Sequence, residues 1–222
     1  MRKIQVFPSL LSADFSDFTA GVREAEKAGA DGIQLDVMDL HFVPNLSYGW
    51  KLAADLRKKT GLFFDAHLMV ESPYSWLEQF AKAGADNITF HIEAAGGYKE
   101  ADKAIHKIKL LGKKAGLAFN PSTPLQGIEQ VIENLDYILI MTVVAGFEGQ
   151  KFMPSMLPKI ETARKAIDKC NRQCRLQVDG GINEQTAEIA KDAGADSLVT
   201  GSAFYGLPNP AARKAFVDKL KE

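Results

Sequence analysis

Three times this chain leaves a helix-like pattern and enters an apolar run through the same four residues, Ala-Gly-Ala-Asp at 28–31, 83–86 and 193–196. In each copy the glycine stands one position past the helix, where a left-handed C-cap needs no Cβ. The spacing of the copies is unequal, so this is not a solenoid repeat. It is one αβ joint used repeatedly. The rest of the sequence keeps the same alternation. Apolar runs fall near 4–7, 32–38, 62–69, 87–91, 115–119, 136–142, 175–179 and 197–200. Helical patterns follow them, the first from a cap at Ser16 or Asp17 to Ala28, the others near 49–59, 73–83, 99–111, 124–132, 155–169, 184–193 and 208–221. Short apolar runs of this kind are what parallel strands buried on both faces look like. Eight βα units with no Pro- or Ser-rich linker predict an α/β fold, a single (β/α)8 barrel over residues 1–222. The alternative, a doubly wound open sheet, lacks its signature, because no Gly-x-Gly-x-x-Gly follows the first strand.

In such a barrel the loops at the carboxyl ends of the strands build the active site. Ser9, Asp36, Met38, His67, Met69, His91, Asn120, Met141 and Asp179 all fall at those ends. Asp36 is the most telling, because a carboxylate inside an apolar strand is costly unless a metal, hydrogen bonds or a charge partner compensates it. Asp36 and Asp179 are expected on roughly opposite walls of the mouth, where two carboxylates can act as acid and base on two faces of a substrate. With His67 between them they also suit a divalent cation, which would stabilise the enediolate formed when a proton leaves the carbon beside a ketone. Met38, Met69 and Met141 suggest an apolar collar that excludes water. His41 and His106 read as peripheral. The loops after strands 6, 7 and 8 are rich in glycine, with Gly146-Phe147-Glu148-Gly149, Gly180-Gly181 and Gly201-Ser202. Backbone N–H groups there can approach a phosphate closely, on the side where barrels most often hold one.

Composition excludes other classes of partner. A net charge of −1 gives no reason to expect nucleic acid or an anionic membrane. No apolar run approaches the length of a membrane span, and Met1 to Gln5 opens without a leader's apolar stretch. Cys170 and Cys174 lack the second pair that a zinc knuckle needs, and are expected to be reduced thiols in the cytoplasm.

Taken in order, Pro8-Ser-Leu-Leu-Ser-Ala-Asp-Phe15, Leu35-Asp-Val-Met-Asp39, His41-Phe-Val-Pro-Asn45, His67-Leu-Met-Val70, Met141-Thr-Val with Gly146-Phe and Gly149-Gln150, and Val178-Asp-Gly-Gly-Ile182 resemble the ribulose-phosphate 3-epimerase family across nearly the whole chain. The resemblance implies a TIM barrel of the ribulose-phosphate-binding type and a small-molecule ketose phosphate as partner. It implies metal-assisted interconversion of D-ribulose 5-phosphate and D-xylulose 5-phosphate at C3, in the pentose phosphate pathway. Asp36 and Asp179 become the acid/base pair. Asp36, His67 and Asp179 become ligands of one divalent ion, zinc by resemblance. Ser9 and His67 would touch the sugar, with Met38, Met69 and Met141 around it. Gly146, Phe147, Glu148, Gly149, Gly180, Gly181, Gly201 and Ser202 would surround the phosphate. A homo-oligomer is expected.

Three positions depart from the family pattern. Gln34 stands where the family has a fourth, histidine ligand. A carboxamide oxygen suits manganese or magnesium better than zinc, so manganese, magnesium or cobalt becomes an alternative metal. Ala145 and Glu148 replace Pro and Gly in the strand-6 loop, and Glu148 brings a negative charge beside the expected phosphate. Leu40 replaces a common Gly. Two other functions compete: a 3-epimerase of a six-carbon ketose phosphate such as allulose 6-phosphate, and a metal-impaired sugar-phosphate-binding protein without catalysis. The related decarboxylase and hexulose-phosphate synthase type is disfavoured, because Asp65-Ala-His67 stands where it carries Asp-x-Lys.

Overall fold

In the computed structural model, which describes residues 3–170 and 173–222, eight parallel strands form one sheet in the order β1-β8-β7-β6-β5-β4-β3-β2. The strands are β1 (Gln5–Pro8), β2 (Gly32–Met38), β3 (Phe63–Met69), β4 (Asn87–His91), β5 (Lys114–Phe119), β6 (Tyr137–Met141), β7 (Arg175–Asp179) and β8 (Ser197–Thr200). A parallel bridge between Ser9 and Gln34 brings the two ends of the sheet together, so the sheet closes into a barrel. The helices are α1 (Phe18–Lys27), α2 (Trp50–Arg57), α3 (Leu77–Lys82), α4 (Ile92–Ala95), α5 (Tyr98–Leu110), α6 (Leu157–Lys169), α7 (Glu184–Asp192), α8 (Ser202–Tyr205) and α9 (Pro210–Lys221). Met1 and Arg2, the start of the stretch read as lacking a leader, lie outside the described residues. No helix among the described residues is long and apolar enough to cross a membrane.

The strands alternate inside their apolar runs. Ile33, Leu35, Val37, Phe64, Ala66 and Leu68 join the main core with the helices. Their neighbours Gln34, Asp36, Asp65 and His67 are buried polar residues, and successive strand residues point to opposite faces. The barrel interior is therefore polar in its middle layers, and the hydrophobic core is the shell between strands and helices.

The repeated Ala-Gly-Ala-Asp turn has a mechanical role. Gly29, Gly84 and Gly194 have φ of 78°, 95° and 111°. At Gly84 a Cβ would also lie 2.5 Å from the Arg57 side chain, so only glycine fits. The aspartate that follows reaches back to start the preceding strand. Asp31 accepts the Val6 N–H at 3.0 Å, Asp86 the Phe64 N–H at 2.8 Å, and Asp196 the Leu176 N–H at 3.0 Å. Asp136, which has no Ala-Gly-Ala before it, does the same for Ala115 at 2.8 Å. Each of the four meets a basic side chain: Lys221, Arg57, Arg164 and Lys109 respectively. One device thus pins β1, β3, β5 and β7 at their amino ends.

Two expected helices differ. Residues 124–132 form two 3-10 turns, Ile128–Gln130 and Ile132–Asn134. Gly127, with φ 93°, and Pro124 break the continuous helix that the apolar spacing suggested. The 73–83 helix opens as a 3-10 turn, Pro73–Trp76, before α3. Asp17 rather than Ser16 caps α1, accepting the Ala20 N–H. Cys174 is buried with its Sγ 3.7 Å from the Arg175 carbonyl oxygen.

Candidate active site

Asp36, His67 and Asp179 lie at or near the carboxyl ends of β2, β3 and β7, and each offers a ligand atom within 4.8 Å of the others. Counted through the closed barrel, β2 and β7 are three strands apart of eight, so they stand on roughly opposite walls, and the two carboxylates converge across the interior. Gln34 lies between them, fully buried, with Nε2 donating to Asp36 Oδ1 at 2.8 Å and to Asp179 Oδ2 at 2.7 Å. His67 Nδ1 lies 2.8 Å from Asp36 Oδ1 and 3.7 Å from Asp179 Oδ2. The Ser9 hydroxyl donates to the other oxygen of Asp36.

This crowding sets the charge states. Burial and the nearby negative charge of Asp36 push Asp179 up to about 7. Burial opposes a charge on His67, but its hydrogen bond to Asp36 and the charges of Asp36, Asp179 and Asp65 win and raise its pKa. Two carboxylates and one imidazole with converging lone pairs are a good donor set for a divalent cation, and three protein ligands leave a coordination position open. Gln34 Oε1 is buried and has no hydrogen-bond partner. Turning its amide by half a rotation would bring that oxygen toward the same point. The residues present therefore fit a divalent ion.

Above these groups lies a cavity of about 530 Å³, lined by Ser9, Asp36, Asp179 and the methionines on one side and by the β6, β7 and β8 loops on the other. Met38, Met69 and Met141 pack with Val43, Leu139 and Val143 into an apolar cluster separate from the main core, which is the expected collar. Gly146, Phe147, Glu148, Gly149, Gly180, Gly181, Gly201 and Ser202 all line the cavity. His67 and Gln34 do not; both are fully buried beneath it. The Glu148 carboxylate does not turn away, but accepts the Ser12 hydroxyl across the cavity rim. Leu40 has φ 62°, so the departure from Gly falls at a left-handed position. His41 and His106 are exposed on the β2 loop and α5, away from the cluster.

Two further groups of buried polar residues support the site, of which only His91 was placed at the mouth from the sequence. Beneath His67, buried Asp65 accepts from Asn87 at 2.7 Å and Gln177 at 2.9 Å. Beside it, His91 Nε2 lies 2.9 Å from His67 Nε2, and His91 Nδ1 lies 3.1 Å from Glu93 Oε2. Burial drops His91 to about 4, so it is neutral. Glu93 is held near 2: burial opposes its charge, but His91, the Thr123 hydroxyl and the Asn120 N–H outweigh that. A histidine ending a strand with a carboxylate two residues on was the only available hint.

Known proteins match both the architecture and the sequence. A structure of KGPDC from Streptococcus mutans superposes with a TM-score of 0.69 at 17% identity, covering 99% of this chain and 98% of that one. The tryptophan synthase alpha-subunit of Pyrococcus furiosus gives 0.67 at 14%, covering 100% and 98%. These show the fold alone. Sequence relatives go further. The ribulose-phosphate 3-epimerase of Bacillus subtilis is 48% identical over 204 residues, 91% of this chain and 93% of its own. That of Synechocystis is 42% identical over 220 residues, 99% and 95%. Residues 5–205 match the ribulose-phosphate 3 epimerase family profile, a span that holds every strand of the barrel and each residue of the converging cluster, and the chain belongs to that family.

Proposed function

We propose that this chain is an isomerase that interconverts D-ribulose 5-phosphate and D-xylulose 5-phosphate by moving the C3 proton between two carboxylates, Asp36 and Asp179. The observation that carries the reading is the convergence of these carboxylates, held apart and aligned by one Gln34 amide, at the floor of a cavity whose other wall is glycine loops. Family membership supports the activity itself. Without a metal ion, burial and the Asp36 charge lift Asp179 to about 7, so this carboxylate takes up and releases a proton readily near neutrality. One member is then ready to accept a proton from C3 and the other to return one to the opposite face.

Asp36, His67 and Asp179 would hold the divalent ion. Such an ion supplies positive charge where negative charge develops on the substrate oxygens. His67, fully buried, belongs to this floor rather than to the sugar surface, and the Ser9 hydroxyl is the polar group that meets the sugar. The methionine collar keeps water from the exposed carbon. The glycine loops of β6, β7 and β8 receive the phosphate through backbone N–H groups. Zinc is the ion the resemblance suggests, and the Gln34 oxygen favours manganese, magnesium or cobalt. A charged pentose phosphate cannot cross a bilayer unaided, which supports a place in the cytoplasm and in pentose phosphate metabolism.

The test is turnover of ribulose 5-phosphate beside allulose 6-phosphate, in the native protein and in Asp36→Asn and Asp179→Asn. The pentose is the better substrate, and each variant loses about 10²- to 10⁴-fold in rate while staying folded. More than a tenth of the native rate in either variant sinks the two-carboxylate mechanism. Preference for the hexose phosphate overturns the substrate assignment.

A further inference from the structure

We propose that Ser47 is a positioning residue: it stands in for the neighbouring strand that β2 lacks at Asp36, and so fixes where the Asp36 carboxylate meets the substrate. The kinetic half of this inference rests on the two-carboxylate reading above.

The inference follows from asking where the backbone hydrogen bonds of β2 go. One edge of β2 pairs with β3 along its whole length. The other edge faces β1, but β1 ends at Pro8 and the chain then leaves in a 3-10 turn, Leu10–Ser12. Among the described residues the Ser9–Gln34 bridge is the one pairing between these two strands. Asp36 and Met38 follow Gln34 at alternate positions, so their backbone groups face the same open edge. Both residues are buried, and a buried N–H or C=O without a partner is costly.

The β2 loop fills that edge. It folds back through an antiparallel bridge between Asp39 and Leu46, and the Leu40 N–H donates to the Asn45 carbonyl oxygen at 3.0 Å. Asp39 locks the fold-back, accepting the His41 and Phe42 N–H groups at 2.9 Å and the Glu71 N–H at 2.7 Å. Ser47 comes next along the returning chain. Its hydroxyl accepts the Met38 N–H at 3.0 Å and donates to the Asp36 carbonyl oxygen at 2.6 Å. The Tyr48 hydroxyl completes the edge by accepting the Asp36 N–H at 3.2 Å, with its ring against Phe15 and Phe18. A single serine hydroxyl thus spans two residues of the strand that carries Asp36. Ser9, Gln34 and His67 hold the carboxylate itself, which must stay free to take or give a proton. Ser47 sets its position without touching it, and misplacing a reacting group by about 1 Å can cost about 10²-fold in rate.

Inversion and exchange at C3 separate position from general damage. In inversion the C3–H bond breaks, one carboxylate takes the proton while the electron pair enters the enediolate, and the other carboxylate delivers a proton to the opposite face. In exchange without inversion one carboxylate does both, after trading its proton for a solvent deuteron. Asp179 alone can therefore exchange the C3 hydrogen of one epimer, and a displaced Asp36 spares that reaction. The experiment runs each epimer in deuterium oxide with manganese in excess, for native protein, Ser47→Ala and Ser47→Thr, and reads conversion and C3 exchange by NMR. We expect Ser47→Ala to lower kcat for conversion about 10- to 100-fold with little change in KM. From one epimer the ratio of exchange to conversion rises by the same factor. Ser47→Thr, which keeps the hydroxyl, restores conversion. Native conversion in Ser47→Ala overturns the inference, as does an unchanged ratio from both epimers, or a Ser47→Thr as slow as Ser47→Ala. Amide hydrogen exchange of the native, metal-free protein needs no variant and no substrate: the Asp36 and Met38 N–H groups should exchange as slowly as that of Leu35 on the β3 side, and rapid exchange overturns the inference. Slow amides in a protein that converts neither ribulose 5-phosphate nor allulose 6-phosphate uphold the backbone placement and overturn the two-carboxylate reading instead.

Discussion

At the scale of single residues, Asp36, His67 and Asp179 were legible in the sequence because a titratable side chain inside an apolar strand is costly and has few structural excuses. What the sequence could not give was their distance, since β2 and β7 are brought round to one mouth only by barrel closure. The raised pKa of Asp179 gives the pair a pH signature. A carboxyl must be ionised to ligate a metal. Above about 7 Asp179 is already ionised and affinity should be level with respect to it; below about 7 a proton must first be displaced. Apparent manganese affinity of the metal-free protein is therefore expected to fall about tenfold per pH unit below that point, with His67 adding to the fall because its pKa is raised too. Competition titrations across pH check this, and an affinity that stays level through the acid range would contradict it. Gln34 gives a second prediction. Its amide touches both carboxylates. Gln34→His should raise zinc affinity and shift preference toward zinc over manganese, because imidazole is the softer donor. Unchanged affinities for both metals would show that residue 34 only holds the aspartates. His91 could be placed at the barrel mouth from the sequence, but not its contact with His67, and Glu93 was not read as a site residue at all.

At the scale of elements, strands and most helices could be read because parallel strands leave continuous apolar runs and the Ala-Gly-Ala-Asp joint marks where three of them begin. The fourth joint, at Asp136, keeps the aspartate bond to Ala115 but not the preceding residues, so only the structure reveals it. The 124–132 stretch misled because its apolar spacing is helical while Gly127 adopts a left-handed conformation. The loops carry two predictions. Glycine on three adjacent loops, lining one cavity wall, implies that phosphate supplies much of the binding. Unphosphorylated ribulose should be a very poor substrate and inorganic phosphate a competitive inhibitor. Glu148→Gln should strengthen that inhibition, since it removes a negative charge from the cavity rim while keeping an acceptor for Ser12. Equal kcat/KM for the sugar and its phosphate would reduce these loops to turns. Leu40 tests the β2 loop. A non-glycine left-handed residue costs about 1–2 kcal/mol, and glycine's extra flexibility gives back about 0.5–1 kcal/mol. Leu40→Gly should raise the melting temperature by about 1–4 °C, and a lower value would mean that the exposed leucine makes a contact worth more than its strain.

At the scale of the whole molecule, the barrel does two separate jobs. Its amino ends are fastened by four aspartates that each bond a strand N–H and meet a base. Its carboxyl ends are left to gather a costly cluster of charge over a buried polar layer of Asp65, Asn87 and Gln177. Order of strands and identity of the end residues were readable from the sequence; the closure that makes two distant carboxylates neighbours rests on the Ser9–Gln34 bridge, which leaves no mark in it. The central claim is that this closure builds a two-carboxylate machine for the C3 proton. The most direct test runs ribulose 5-phosphate with the native protein in deuterium oxide and reads both epimers by proton NMR. The account predicts one solvent deuteron at C3 of the xylulose 5-phosphate formed, none at C1 or C4, and loss of both label and turnover in Asp179→Asn. Epimerisation that keeps the original hydrogen at C3, or label entering at C1, would contradict it.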